Sequence, residues 1–165
     1  MNAIVNLFYQ YGNKVIITVA IANAVIFVLT IMSEKKMSKL LYRKGNSARK
    51  FIPDMGWDGN KIDKLQGEYQ IMIILYTLYT NITAIFPLLG ILGTVAALIK
   101  EFDDIEGLTG NFMVALSTTF WGILFAIVFK GIDAVVSGPM ERIVEDTNYV
   151  VRYEGKEEQE WGRTE

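Results

Sequence analysis

Three long stretches of the chain contain no charged side chain, and this constrains the fold more than any other feature. They cover residues 15–32, 69–99 and 111–129. A helix needs about 20 residues to cross roughly 30 Å of hydrocarbon, and each stretch is close to or above that length. A soluble helix of this length would show a charged face, which is missing here. The sequence therefore predicts an all-α membrane protein with transmembrane helices at 13–33, 69–100 and 110–133.

The positions of Lys and Arg predict the orientation of these helices. The segment 34–68 carries nine basic and five acidic residues, whereas 101–109 carries four acidic residues and no basic one. Because basic loops remain on the cytoplasmic side, 34–68 is expected to be cytoplasmic and 101–109 to be a short external loop. The N-terminus is then outside, with 1–12 as an outer interfacial segment. Residues 134–165 become a cytoplasmic helix extension and tail, so the second and third helices are long and extend into the cytoplasm.

The composition excludes several classes of function. The chain has no Cys and no His, which removes thiol chemistry, disulfides and metal sites built on those ligands. No catalytic constellation is present, so neither an enzyme nor a bound cofactor is expected. The net charge of −2 does not indicate a nucleic-acid partner.

Small and polar residues form a stripe along each of the second and third predicted spans. Residues spaced three or four apart lie on one face of a helix. The second span has Thr80, Thr83, Pro87, Gly90 and Thr94 at this spacing. The third has Ala115, Thr119, Gly122 and Ala126, followed by Lys130 and Asp133 at the predicted cytoplasmic end. Such a face avoids lipid, and its hydroxyls can line an ion path.

A second interpretation of the same residues is helix packing. A Thr or Ser in a membrane helix usually donates its hydroxyl to the carbonyl three or four residues earlier. Gly90, Gly93 and Gly122 are of the size that lets neighbouring helices approach closely. Taken singly, each of these residues fits packing better than ion passage. Pro87 likewise fits a simple kink.

The combination of two motifs is more specific than either stripe. Residues 86–95 read Phe-Pro-Leu-Leu-Gly-Ile-Leu-Gly-Thr-Val, and 115–122 read Ala-Leu-Ser-Thr-Thr-Phe-Trp-Gly. The first resembles the second-span signature of the MotA/TolQ/ExbB family of ion-driven motor channels, and the second resembles its third-span signature. The resemblance covers 63 to about 139, together with the three-span layout.

The resemblance implies a homopentameric helical bundle whose second and third helices surround a central pore. Within the pore would lie a dimer of an ExbD/TolR/MotB-like single-span protein that carries a membrane Asp. Thr94 and Thr119 match the family's pore-facing threonines, with Thr118, Thr80 and Thr83 as further ion-pathway candidates, and Pro87 matches the pore-helix bend. The transported ion would be H⁺ or Na⁺, and the location a bacterial cytoplasmic (inner) membrane.

Two departures separate the chain from the family's branches. Val114 occupies the position where the ExbB/TolQ branch has a Glu directly before the Ala-Leu of span three. The third-span motif resembles the flagellar stator branch instead, but the segment between the first two spans is too short for a stator's cytoplasmic domain. A small ExbB/TolQ-like subunit is therefore expected. A packing-only scaffold protein and a self-sufficient, holin-like pore remain the alternatives.

Overall fold

Three long α-helices make up the part of the chain that the structure, a computed structural model, describes. That part comprises residues 2–42, 59–103 and 108–161. Helix α1 spans Asn2–Leu41, α2 spans Gly59–Asp103 and α3 spans Leu108–Trp161. The prediction of three helices able to cross a membrane is confirmed, since Gln10–Leu41, Ile62–Lys100 and Phe112–Arg152 are each long and apolar enough.

The helices extend beyond the predicted spans at both ends. The predicted interfacial segment at 1–12 is, from Asn2 onward, continuous with α1. Of the predicted external loop at 101–109, residues 101–103 belong to α2 and 108–109 to α3. The remaining part of that loop, 104–107, lies outside the described residues.

Two units can be described separately, and each receives a part of every helix. The first comprises 1–27 and 77–134. Its buried side chains include Ile16 from α1, Tyr79 and Phe86 from α2, and Phe129 from α3. Phe86 stacks on Phe129 with ring centroids 5.4 Å apart, and the Tyr79 hydroxyl donates to the Phe129 carbonyl oxygen at 2.7 Å. Aromatic packing therefore joins α2 to α3 in this unit.

The second unit comprises 28–76 and 135–165. Side chains of all three helices form its hydrophobic core, which consists of Met37, Leu41, Leu65, Met72, Met140, Ile143 and Val150. Polar contacts flank the core. The Tyr42 hydroxyl donates to Asp146 Oδ2 at 2.5 Å, and Lys36 forms an ion pair with Glu68.

Candidate ion-pathway site

Glycines bring α2 and α3 into backbone contact in the first unit. A Cβ atom placed on Gly122 would lie 2.7 Å from the Phe86 carbonyl oxygen and 3.0 Å from Gly90 Cα. A Cβ atom on Gly93 would lie 2.6 Å from Thr118 Cβ. Real Cβ atoms do not approach so closely, so no residue larger than glycine fits at either position without a shift of the helices. The three glycines predicted for helix packing all lie at this contact.

The close approach brings Thr94 of α2 together with Thr119 of α3. Their hydroxyl groups are hydrogen-bonded to each other, and each also lies 3.2 Å from the carbonyl oxygen of Gly90. Both side chains are half-buried. Each hydroxyl has a single proton to donate but can accept two. One threonine can thus donate to the other while the second donates to Gly90.

Thr118 is placed differently from its neighbour Thr119. It is completely buried, and its hydroxyl shares its one proton between the carbonyl oxygens of Val114 and Ala115, each at 3.0 Å. Its methyl group lies against α1, since a Cβ on Gly12 would be 2.9 Å from Thr118 Cγ2. The contacts of this side chain are therefore within the subunit, as the packing interpretation expects.

The two other threonine candidates lie on α2. Thr83 is buried, donates to the Tyr79 carbonyl oxygen at 2.8 Å and accepts a hydrogen bond from Asn23 of α1 at 2.9 Å. Thr80 is half-buried and donates to the Thr77 carbonyl oxygen at 3.0 Å. The structure thus brings Thr94 and Thr119 together and places neither Thr80 nor Thr83 in that pair.

The remaining predicted residues also have defined positions. Pro87 lies inside α2, without a break in the helix, and is half-buried. Lys130 and Asp133 of α3 form an ion pair at 3.4 Å, with the Lys130 side chain largely exposed. This pair joins successive turns of the same helix, as the i,i+3 spacing predicts. Among the described residues, no group of three or more His, Cys, Asp or Glu is arranged to hold a metal ion.

A comparison with protein families identifies the class of the chain. The model of the MotA/TolQ/ExbB proton channel family matches residues 64–148, which is more than half of the sequence. The chain belongs to this family. The resemblance inferred from the two motifs is confirmed. The MotA/TolQ/ExbB family is a family of channel proteins that work with partner proteins, and it is not a family of enzymes. No curated protein and no solved structure matches the chain.

The matched region contains the threonine pair, but polar contacts to α1 extend beyond it. Asn13 donates to Ser117 Oγ at 3.0 Å, and Asn23 donates to Thr83 as described above. Sequence reasoning overlooked both asparagines, although Asn23 is the one side chain with an amide within the uncharged stretch 15–32. An amide there was a usable signal, because a polar group in a membrane helix needs a partner in another helix.

Proposed function

We propose that the chain is the ion-channel subunit of an energy-transducing rotary motor and that Thr94 and Thr119 form part of its ion path. The observation that carries this proposal is the contact between the two hydroxyls across α2 and α3. The uncharged stretches that contain them have no Asp, Glu, Lys or Arg. The site can therefore offer hydrogen bonds to an ion carrier but cannot itself carry the charge.

The chemistry of threonine suits a partner carboxyl group in either protonation state. A carboxylate at mid-membrane costs about 2.5–3.5 kcal/mol on insertion scales unless it is protonated, paired or hydrated. A hydroxyl can donate to a carboxylate and accept from a carboxylic acid. The Thr94–Thr119 pair can serve both states without the strong bias that a fixed charge would impose. A membrane Asp of a second protein is the carrier that this site requires.

The assembly we propose is a pentamer of this subunit around a dimer of an ExbD/TolR/MotB-like single-span protein. The second and third helices would line the pore in a bacterial inner membrane. The N-terminus would lie outside, and the C-terminus and the long extensions of the second and third helices would lie in the cytoplasm, as the charge pattern predicts. Large apolar side chains remain exposed on all three helices, including Ile21, Leu88 and Ile127. Such surfaces suit lipid and neighbouring subunits.

The nature of the transported ion depends on the same groups. Hydroxyl and carbonyl oxygens can serve H⁺ transfer through water and can also bind Na⁺, so these groups alone do not select the ion. Because Val114 replaces the Glu of the ExbB/TolQ branch, no ion-relay step is assigned to that position. We propose H⁺ as the ion, since the matched family is one of proton channels.

The test is flux through the complex reconstituted in liposomes with its single-span partner. Replacing both Thr94 and Thr119 by Val removes the two hydroxyls with little change of side-chain volume, whereas the double Ser variant retains them. We expect the Val variant to lose pH-driven H⁺ flux and the Ser variant to keep most of it. Flux that survives the Val replacement would show that the pair is only a packing contact.

Assembly distinguishes the motor subunit from the two alternatives. Purification with the partner should give five copies of this chain for two of the partner, and liposomes with this chain alone should not leak. A stable monomer or dimer without a partner would support a scaffold protein. Ion leakage by the chain alone would support a self-sufficient pore.

A further inference from the structure

A buried amide in the first unit has an oxygen atom without a partner. Asn23 of α1 is completely buried, and its Nδ2 donates to Thr83 Oγ1 of α2 at 2.9 Å. The Thr83 hydroxyl in turn donates to the Tyr79 carbonyl oxygen at 2.8 Å. Because the Thr83 hydroxyl donates its proton to Tyr79, it can only accept from Asn23, so the amide nitrogen of Asn23 faces Thr83. Asn23 Oδ1 is buried and accepts no hydrogen bond from any described group.

A second acceptor, the backbone carbonyl of the residue that binds this amide, also lacks its usual donor. In an α-helix, the carbonyl of Thr83 would accept from the backbone N–H of residue 87. Residue 87 is Pro, which has no N–H, and it lies inside α2. Thr83 is the residue whose hydroxyl binds Asn23, so both acceptors belong to one contact between α1 and α2.

The hydroxyl donors of Thr83 and Tyr79 are already used. The Thr83 hydroxyl donates to Tyr79, and the Tyr79 hydroxyl donates to the Phe129 carbonyl oxygen at 2.7 Å. A buried acceptor without a donor has lost its hydrogen bonds to water without replacement, and two of them at one contact are correspondingly unfavourable. Asn23 Oδ1 and the Thr83 carbonyl oxygen therefore each need a donor that these hydroxyls do not supply.

We propose that this contact binds one water molecule, which donates to Asn23 Oδ1 and to the carbonyl oxygen of Thr83. Water is the smallest molecule with two donors, and buried waters usually make two to four hydrogen bonds to groups that otherwise have no partner. Ordered waters also satisfy backbone carbonyls released by proline in membrane helices. The bound water joins α1 to the segment of α2 that contains Pro87. This inference does not depend on ion conduction by the chain.

A double-mutant cycle of Asn23→Leu and Pro87→Ala tests the proposal on the purified, assembled protein in lipid nanodiscs. With the water present, Asn23→Leu releases it and leaves the Thr83 carbonyl without a donor, so the midpoint temperature of unfolding falls. Pro87→Ala supplies the missing N–H. The double variant should therefore recover stability relative to the sum of the single effects, by about 2–4 °C or more.

Pro139→Ala is the matched control, because Pro139 also lies inside a helix but in the second unit. Its effect should add to that of Asn23→Leu without recovery. Additive effects in both cycles would overturn the proposal, because two independent acceptors without water do not couple. Should Asn23→Leu fail to assemble, Asn23→Ala replaces it in both cycles. A structure of the wild-type assembly at a resolution that shows waters must also contain density within hydrogen-bond distance of Asn23 Oδ1, and its absence there overturns the proposal.

Discussion

Gly122 of α3 lies against the backbone of α2 at Phe86, where a Cβ atom on Gly122 would be only 2.7 Å from the Phe86 carbonyl oxygen. The opposing atom belongs to the backbone of a helix and cannot rotate away as a side chain could. The contact therefore excludes even alanine unless the two helices separate. The threonine pair lies beside this contact, because Thr119 precedes Gly122 by one turn and binds the carbonyl of Gly90.

Gly122→Ala is expected to destabilise the protein by about 1–3 kcal/mol, because overpacking a close contact forces the backbone to shift. Gly131→Ala is the matched control, since a Cβ on this α3 glycine meets no atom within 4 Å. Alanine there should be neutral or stabilising by up to about 1 kcal/mol. Thermal unfolding in detergent measures both. Equal stability of the two variants would contradict the close contact.

Thr94→Val alone should already reduce ion flux through the reconstituted complex, by about tenfold or more. It removes a hydroxyl that we propose binds the partner's carboxyl group, and hydrogen bonds to charged groups contribute about 1.5–3 kcal/mol. Thr118→Val is the comparison at a completely buried threonine whose hydroxyl donates only to its own helix. We expect its flux to remain near wild type. A larger loss of flux for Thr118→Val than for Thr94→Val would contradict the assignment of Thr94 to the ion path.

Tyr42 gives the second unit a defined pH dependence at alkaline pH. Burial, and then the hydrogen bond and charge of Asp146, raise the pKa of Tyr42 to about 12 from the ordinary 10.0, against an opposing effect of Arg142. Because the pKa of Tyr42 is raised in the folded state, its protonated hydroxyl contributes to stability. This contribution is fully present below pH 10.0 and is lost as the pH rises towards about 12.

Tyr42→Phe should therefore abolish that part of the stability loss between pH 10.0 and about 12. At neutral pH the variant should be less stable by about 1 kcal/mol, because it leaves Asp146 without this hydrogen bond. The measurement is the midpoint of unfolding of the wild type and of Tyr42→Phe from pH 8 to 12. Lysine titration affects both proteins equally and cancels in the comparison. Identical pH profiles for wild type and Tyr42→Phe would contradict the contact.

The core of the second unit should contribute much more stability than its surface charges. Met72→Ala removes a completely buried side chain and is expected to cost about 2–5 kcal/mol. Glu68→Gln breaks the ion pair with Lys36, whose side chain is 59% exposed, and should cost less than about 1 kcal/mol. Urea unfolding of each variant gives the two values. A larger effect of Glu68→Gln would indicate that the ion pair belongs to a wider network.

The sequence predicted the three spans well, because the absence of charge over 15–32, 69–99 and 111–129 leaves few other structures open. It also predicted that Thr94 and Thr119 belong to one site. Thr83 faces Asn23, whereas Thr118 faces Gly93. The spacing within a single helix could not reveal this, because which neighbouring helix a side chain meets depends on how the helices cross. For the same reason, the contacts of α1 with Thr83 and Ser117 were missed.

The glycine contact also bears on how α2 and α3 can move relative to each other within the first unit. Gly122 meets the backbone of Phe86 and Gly90, and Gly93 meets the side chain of Thr118. One helix cannot slide along the other by a residue without driving a side chain into a backbone. At this level the two helices are therefore expected to shift together and not past each other.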